Sequence, residues 1–454
     1  MANETVKLGE YLAGLKYEML PPEVIWEVKR RLADVIGIGV YTSRGAVTDK
    51  IVKYVSETAP VGTSTIWCSG VKLAPAYAAM ANTCRIFYEE LDDVHRTSHT
   101  HPASSTVPPA LAVGETLGNS GKDIITAVVG GYESVARVGL SVSPSIFVDR
   151  TCIPCAILGS FGGATVSGIL KGFGAQQHTG LLASASFLTP MMPVESYIKG
   201  TSIKEFSMGW CNLVGVTASE MMEYGFQGSP MALESPFGFC NNACAEYHLD
   251  RLTEKMGKGY AIMDSGIKPY AHCRQHHSAI DCMLELRRKY NLDSKAGEIE
   301  HVLVRTYNPA IRGKNKEFPT ISAAKYSTPF ALSVSVLFGD AWIGQYTQEN
   351  LVNPDVINLA QKVDVVLDPE LDALYDEKWP AIVEVEMKNG EKYSARHDLM
   401  KGEPEFPLSD EDLFKKYYSL ATIAVSGERA QRIWDMIFEL EKLDDINVLT
   451  KELF

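Results

Sequence analysis

The amino-acid sequence predicts a mainly α-helical protein in which a large helical domain carries a smaller α+β lobe. Apolar residues recur at helical spacing through most of the first 265 residues, and strand-like segments with a hairpin signal follow them. A capped helical pattern then returns near the C-terminus. We therefore expect the helical domain to comprise residues 1–265 and 399–454, with an α+β lid domain at 266–398 between them.

The helical prediction begins at Pro21 and Pro22, which open the segment PPEVIWEVKRRLADVIGIGVYTS. Proline is favoured in the first turn of a helix, and Val24, Val28 and Leu32 recur at helical spacing. Segments rich in alanine and glycine follow, among them APAYAAMANTCRIFYEEL, DIITAVVGGYESVARVGL and AILGSFGGATVSGILKGFG. Because small side chains let helices approach closely, we expect a tightly packed bundle.

The pattern changes after Lys268. The segments IEHVLVRTY and KVDVVLD have the apolar runs of strands, and IVEVEMKNGEKYSARH is typical of a hairpin that turns at Asn389-Gly390. Ser409 is then placed to cap the helix DEDLFKKYYSLA. This order makes the α+β lobe an insertion in the helical domain, and we expect it to act as a lid.

Composition and the N-terminal segment narrow the possible partners and location. The net charge of -13 argues against nucleic acid or an anionic membrane as a general partner. The first residues, MANETVKLGEYL, lack the features of a signal peptide, and no stretch approaches the length that spans a bilayer. We therefore expect a cytoplasmic protein. Its nine cysteines are irregularly spaced and are expected to be reduced thiols.

Histidine is concentrated in two short segments. Six of the ten histidines lie in DDVHRTSHTHP, which starts at Asp92, and in KPYAHCRQHH, which starts at Lys268. The same segments contain carboxylates, a lysine and Arg274, the groups from which acid/base sites for anionic substrates are built. The two segments are therefore the predicted site.

A metal site is the weaker interpretation of these residues. The spacing H-x3-H-x-H in the first segment lacks a clearly placed fourth ligand for zinc. The pairs Cys152/Cys155 and Cys240/Cys244 have no histidine at ligand spacing. We therefore expect no metal, and a metal-dependent hydrolase is retained only as an alternative that metal analysis of the purified protein would test.

Several segments together resemble the MmgE/PrpD family, which includes 2-methylcitrate dehydratase, cis-aconitate decarboxylase and iminodisuccinate epimerase. The resemblance extends from about residue 5 to the C-terminus and rests on ELDDVHRTSHTHPASSTVPPALAVGE, GGYESVARVG, IKEFSMGW, KPYAHCRQHHSAID, KYSTPFALSVSVLFGD and DLMKGEPEFPLSDEDLFKKY. It implies a helical domain with a lid, a homodimer, and catalysis that requires neither a metal nor an organic cofactor.

The resemblance also assigns roles to individual residues. The family's reactions begin at a carbon beside a carboxylate, so the site needs a base and cations that face the carboxylates. His101 matches the family's His-Pro position, Lys204 matches a pocket lysine, and Lys268 matches a motif lysine. The catalytic candidates are His101, Asp93, Lys268 and His272, and the substrate-binding candidates are Lys204, Arg274, His95, Asp92, Tyr132 and Glu90.

The chain departs from its decarboxylase relatives at four of these motif positions. Glu90 stands where they have a catalytic aspartate, and Ser207 stands where relatives often have histidine. Ile153 replaces a histidine, and Phe330 aligns with a catalytic tyrosine, although Tyr326 lies nearby in sequence. The loss of two proton-handling side chains argues against cis-aconitate decarboxylation.

The prediction is therefore a hydro-lyase that eliminates water from a small hydroxylated di- or tricarboxylate such as 2-methylcitrate. His101 and a residue of the second histidine segment are expected to form the acid/base pair. An epimerase of a small dicarboxylate such as iminodisuccinate is a close alternative. Decarboxylation ranks third, and a non-catalytic binder of polycarboxylates is the alternative from a different functional class.

Overall fold

The computed structural model describes residues 3–454, and helices form most of its first 264 residues. They are α1 (Glu4–Gly14), α2 (Pro22–Tyr41), α3 (Ala46–Thr58), α4 (Pro75–Tyr88), α5 (Pro102–Leu117), α6 (Gly121–Val142), α7 (Ser145–Val148), α8 (Pro154–Leu170), α9 (Ala175–Leu188), α10 (Glu195–Ile198), α11 (Ser207–Glu223) and α12 (Phe239–Ala243). Short strands β1 (Val61–Ile66) and β2 (Val71–Leu73) form a hairpin, and β3 (Val94–His95) follows α4.

Helix α2 begins where the sequence predicts. Pro21 is its N-cap and Pro22 its first residue, because the fixed φ of proline suits the first turn and its missing N–H is not needed there. The helix is buried along most of its length, and even its charged residues find partners. Arg31, for example, donates to the Ser265 carbonyl oxygen at 2.6 Å.

Close helix packing around α8 confirms the interpretation of the small residues. A Cβ atom added at Gly215 of α11 would lie 2.5 Å from the Ser160 carbonyl oxygen of α8. One added at Gly162 of α8 would lie 2.9 Å from the Ser105 carbonyl oxygen of α5. These backbones approach more closely than any larger side chain allows, so glycine sets the spacing of α5, α8 and α11.

The α+β lobe packs helices against one four-stranded sheet. Its elements are β4 (Ser265–Gly266), α13 (His277–Tyr290), β5 (Ile299–Thr306), α14 (Ile321–Ala324), α15 (Thr328–Phe338), α16 (Gln348–Leu351), α17 (Pro354–Gln361), β6 (Val363–Leu367), α18 (Pro369–Asp372), β7 (Ala381–Met387) and β8 (Lys392–His397). The sheet order is β6-β5-β7-β8, with β5 and β6 parallel and the other pairs antiparallel. The predicted hairpin is confirmed as β7 and β8, and Gly390 in its turn has a φ of 86°.

The C-terminal segment consists of α19 (Asp410–Ala421), α20 (Gly427–Phe438) and α21 (Asn447–Glu452). Ser409 caps α19 by accepting from the Asp412 N–H, as the sequence predicts. Both α19 and α20 pack against α2. Lys416 of α19 pairs with Asp34 of α2 at 2.6 Å, so a buried ion pair joins the last segment to the first helices. The domain boundaries themselves stay a prediction.

Two further observations concern the chain as a whole. All nine cysteines are free thiols, in agreement with the expected reduced state. In the described residues, no helix combines the length and the apolar character that a membrane span needs.

Candidate active site

The two histidine segments meet because β3 pairs with β4. Val94 lies opposite Gly266, and His95 lies opposite Ser265, in a short antiparallel ladder. The pairing places the loop that ends α4 beside the loop that contains Lys268. Lys416 of α19 holds both loops, since its ammonium donates to the Leu91 and Lys268 carbonyl oxygens at 2.8 and 2.9 Å.

A cavity of about 600 Å³, measured with its open mouth, lies where these loops meet. Its lining includes three of the predicted site residues, Glu90, His101 and Arg274. The remaining wall is largely apolar or aromatic and comprises Phe87, Val94, His99, Phe147, Ile153, Pro154, Cys155, Val194, Tyr197, Cys273, Gln275, Tyr326 and Trp379. A mostly apolar cleft with a few convergent polar groups is typical of a small-molecule site.

Asp92 and His101 form a dyad at the wall of the cavity. His101 is the N-cap residue of α5, and its Nδ1 lies 3.1 Å from Asp92 Oδ2. The imidazole is 13% exposed, whereas the Asp92 side chain is fully buried. Because Nδ1 faces Asp92, Nε2 is the nitrogen left for a ligand. A buried carboxylate that orients an imidazole in this way fixes its tautomer and stabilises its protonated form.

Glu90 is held between two lysines behind His101. Its Oε1 lies 2.7 Å from Lys204 Nζ, and its Oε2 lies 3.1 Å from Lys268 Nζ. Burial alone would raise the pKa of the Glu90 carboxyl, but the two ammonium groups outweigh burial and lower it. The same Glu90 charge raises the pKa of Lys204 against burial. All three groups are therefore ionised at neutral pH.

Asp92 connects this cluster to the dyad. Its Oδ1 lies 3.7 Å from Lys268 Nζ, and Ser104 donates to its Oδ2 at 2.6 Å. Burial opposes ionisation of Asp92, but His101 and Lys268 lower its pKa. Carboxylates and ammonium groups thus alternate from Lys204 through Glu90 and Lys268 to Asp92 and end at His101.

Asp93 and Tyr132 lie behind the cavity wall. Asp93 Oδ1 accepts from the Ala103 N–H at 2.8 Å, which satisfies a free donor in the first turn of α5. Tyr132 donates its hydroxyl to Asp93 Oδ2 at 2.6 Å and is fully buried. Burial raises the pKa of Asp93 to about 6. Contacts of these two residues with substrate stay a prediction, and their observed contacts position α5 and His101.

His272 lies in a buried chain of side chains. Its Nδ1 lies 2.9 Å from the Tyr346 hydroxyl, and its Nε2 lies 3.0 Å from His276 Nδ1. Burial lowers the pKa of His272 well below its usual value and that of His276 to about 4. Both imidazoles are therefore neutral at pH 7. His272 does not line the cavity, and its catalytic role stays a prediction.

Arg274 reaches the cavity wall with its guanidinium already paired. Its Nε and Nη2 donate to Glu403 Oε1, and its Nη1 donates to the Lys401 carbonyl oxygen at 3.0 Å. Only 2% of the residue is exposed. The interaction of Arg274 with a substrate carboxylate, expected from the sequence, would require the buried Glu403 pair to open.

The third histidine of the first segment is a residue that the sequence interpretation did not single out. His99 lines the cavity, and its Nε2 lies 2.6 Å from the Tyr375 hydroxyl of the lobe. Its ring stacks on Trp379 at an interplanar angle of 11°. His95, which was predicted to bind substrate, is buried and has a pKa lowered to about 4 by burial. A signal for His99 was its position between the two chosen histidines.

The positions that depart from the decarboxylase pattern have different locations. Ile153 lines the cavity, so an apolar side chain faces a ligand there. Phe330 is fully buried and packs against Phe318 and Tyr346. Tyr326 lines the cavity and supplies a phenol on that wall. Burial raises the pKa of Tyr326, so its hydroxyl is protonated at neutral pH.

The histidine loop does not gather metal ligands. His95 contacts Ser98, His99 contacts the lobe and His101 contacts Asp92. In the part of the chain that the structure describes, no three histidine, cysteine or acidic side chains come together as a metal-binding group.

Comparison with known proteins identifies related sequences along nearly the whole chain. Cis-aconitate decarboxylase of Aspergillus terreus (strain NIH 2624 / FGSC A1156) is 26% identical over 99% of this chain and 95% of its own length. Cis-aconitate decarboxylase of Mus musculus is 25% identical over 99% of this chain and 93% of its own length. The corresponding protein of Homo sapiens is 24% identical over 98% and 93%.

Two family domains match in order. The MmgE/PrpD N-terminal domain matches residues 6–251 and contains the His101 segment, and the MmgE/PrpD C-terminal domain matches residues 270–442 and contains His272. The matches confirm the resemblance inferred from the motifs and the expected helical domain with a smaller α+β lobe. The chain belongs to the MmgE/PrpD family.

Proposed function

We propose that the protein is a lyase that removes a proton beside a carboxylate and eliminates water from a small hydroxylated di- or tricarboxylate. The observation that carries this proposal is the Asp92–His101 dyad, which presents one imidazole nitrogen to a cavity beside Lys204 and Lys268. A base next to fixed cations is what formation of an enolate-like state requires. The lyase class is also supported by the relatives named cis-aconitate decarboxylases, since decarboxylases are lyases.

The proposed mechanism assigns the base to His101. Its free nitrogen takes the proton, and Asp92 stabilises the imidazolium that forms. Lys268, 3.7 Å from Asp92 and 3.1 Å from Glu90, supplies positive potential as charge moves onto the substrate carboxylate. Tyr326, a protonated phenol on the cavity wall, is the proposed acid for the departing hydroxyl group. No cofactor is needed for these steps.

Decarboxylation is the second candidate, and the names of the relatives favour it. Two positions weigh against it. Ile153 gives the cavity an aliphatic side chain, and Phe330 is enclosed in the core, so neither position handles a proton. Epimerisation requires acid/base groups on opposite faces of one carbon. His101 with Tyr326 would also suit that reaction, which keeps the epimerase as an alternative.

Proton NMR in D2O separates these reactions. The protein is incubated with 2-methylcitrate, citrate, malate, cis-aconitate and iminodisuccinate, and each spectrum is followed with time. The proposal predicts an alkene product from a hydroxylated acid, without loss of carbon dioxide. Deuterium incorporation with inversion and no alkene would identify an epimerase, and carbon dioxide release from cis-aconitate would identify a decarboxylase. Binding without proton exchange would favour the non-catalytic alternative.

We also propose that the protein is a homodimer, as the family resemblance implies. Large apolar side chains are exposed around one surface depression, where Phe187 is 87% exposed, Phe237 is 93% exposed and Met191 is 47% exposed. A second copy of the chain is the proposed occupant, because exposed apolar patches of this kind mark interfaces. Light scattering after size exclusion should give a dimer mass, and Phe187→Glu with Phe237→Glu should give a monomer. Phe406→Glu, at an exposed phenylalanine of another depression, is the control.

A further inference from the structure

The cations predicted for substrate binding are already neutralised by the protein's own carboxylates. Lys204 and Lys268 share Glu90, and Lys268 also lies near Asp92. Arg274 is paired with Glu403, which is fully buried. Two lysines beside two carboxylates leave no net charge to balance a dianionic or trianionic substrate. A cation of another origin is needed in the cavity.

Arg312 provides such a cation from the lobe. It lies in the 3-10 turn Pro309–Gly313 and crosses to the helical domain, where its Nη2 donates to the Phe147 carbonyl oxygen at 3.3 Å. Its guanidinium carbon lies 4.2 Å from the centre of the Phe147 ring, and Phe147 lines the cavity. Within residues 3–454, Nη1 of Arg312 is a buried donor without a hydrogen-bond partner, and no carboxylate forms an ion pair with this side chain.

We infer that Arg312 binds a carboxylate of the substrate in this cavity, an inference that rests on the proposed polycarboxylate substrate. An unsatisfied buried donor on a cation costs free energy, and a carboxylate oxygen removes that cost. A guanidinium binds a carboxylate through two parallel N–H donors, and stacking on Phe147 fixes the plane of the fork.

The surroundings of Arg312 agree with a place at the cavity. Burial raises the pKa of the Tyr326 hydroxyl, and the nearby Arg312 cation opposes that rise. Arg312 has the same effect on Tyr375, which contacts His99 of the cavity wall. Arg312 therefore lies near the phenol that we propose as the acid, and a carboxylate bound to it would be held close to the reacting carbon.

Calorimetric titration of the full chain with tricarballylate tests the inference without depending on turnover. This unreactive tricarboxylate lacks the hydroxyl group that would be eliminated. Arg312→Gln should raise its Kd about 10- to 100-fold, the usual range for loss of a charge-assisted hydrogen-bonded pair. Arg312→Lys should give an intermediate Kd, because it keeps the charge and loses the fork. Arg288→Gln, at an exposed arginine of the lobe, is the matched control.

The outcomes separate this inference from the proposed function. A Kd of Arg312→Gln within twofold of the wild-type value would overturn the role of Arg312 and leave the lyase proposal in place. Absence of tricarballylate binding by the wild-type protein would overturn both the inference and the polycarboxylate site. Thermal unfolding of each variant shows whether it is folded, and if the glutamine variant is not folded, a wild-type Kd for Arg312→Lys would contradict the inference.

Discussion

Asp92 determines what His101 can do. It is fully buried and lies 3.1 Å from Nδ1 of the imidazole on one side and 3.7 Å from Lys268 on the other. Its negative charge stabilises a protonated His101, while Lys268 limits how strongly the carboxylate holds a proton of its own. The dyad is thus an electrostatic unit, and the charge of Asp92 is more important than its size.

Asp92→Asn is expected to lower kcat by about 10²- to 10⁴-fold with a small effect on KM, because an amide neither fixes the tautomer nor stabilises the imidazolium. Steady-state kinetics on the acid identified by NMR measures both constants. Asp355→Asn, at an exposed aspartate of the lobe, should leave both unchanged. An Asp92→Asn variant that is folded and has the wild-type kcat would show that the dyad does not participate in proton transfer.

The residue scale also shows where sequence reasoning reaches its limit. Clustering of histidine and the family motif identified His101, Glu90 and the two lysines, which the structure brings together. The same reasoning chose His272, whose two ring nitrogens are occupied by Tyr346 and His276. Spacing in a loop does not determine which way an imidazole turns. Arg312 was missed because its turn, NPAIRGK, resembles an ordinary exposed basic loop.

At the scale of elements, local sequence signals predicted where helices and strands begin. Pro22 starts α2, Ser409 caps α19, and the Asn389-Gly390 turn joins β7 to β8. Each signal acts through its own backbone, so no distant contact is needed to recognise it. The pairing of β3 with β4 was not predicted, since two-residue strands carry too little periodicity. That pairing is what joins the two histidine segments.

Gly215→Ala is expected to destabilise the folded protein by about 1–3 kcal/mol, because the added methyl group would overlap the backbone of α8. The free energy of unfolding in urea measures this cost. Gly14→Ala, at the end of α1, is the matched control, since a Cβ there meets nothing within 4 Å. Equal stability of the Gly215→Ala variant and the wild-type protein would mean that α8 and α11 are less closely packed than described.

At the scale of the whole molecule, the candidate site depends on all three parts of the chain. The helical part supplies Asp92 and His101, the lobe supplies Tyr326 and Arg312, and Lys416 of the C-terminal segment holds the loops of Leu91 and Lys268. His99 contacts Tyr375 and Trp379 across the same boundary. Movement of the lobe would therefore alter the cavity, which is consistent with the expected lid.

Acid should destabilise the whole fold through its buried histidines. The pKa of His276 is lowered to about 4, so the unfolded chain binds a proton that the folded chain does not between about pH 6.5 and pH 4. Its contribution is complete above pH 6.5 and is lost as the pH falls. The expected loss is about 2 kcal/mol between pH 6.5 and pH 5, from 1.36 kcal/mol per pH unit. His95 acts in the same direction, whereas Asp93, with its raised pKa, opposes them.

Urea unfolding at pH 6.5 and pH 5 measures this dependence. His276→Gln should lose less stability than the wild-type protein over this interval, whatever its stability at pH 6.5. His301→Gln, at a histidine whose side chain is 39% exposed, should retain the wild-type dependence. Identical pH dependence of the wild-type and His276→Gln proteins would contradict the explanation.

The most direct test of the central claim is the exchange of substrate hydrogen with solvent deuterium, followed by proton NMR in the wild-type, His101→Gln and Tyr326→Phe proteins. The account predicts that the wild-type protein exchanges the hydrogen beside a carboxylate and forms an alkene. Tyr326→Phe should still exchange it but eliminate water more slowly, and His101→Gln should lose about 10²- to 10⁴-fold of the exchange rate. Exchange at the wild-type rate in a folded His101→Gln protein would show that another residue is the base and would contradict the account.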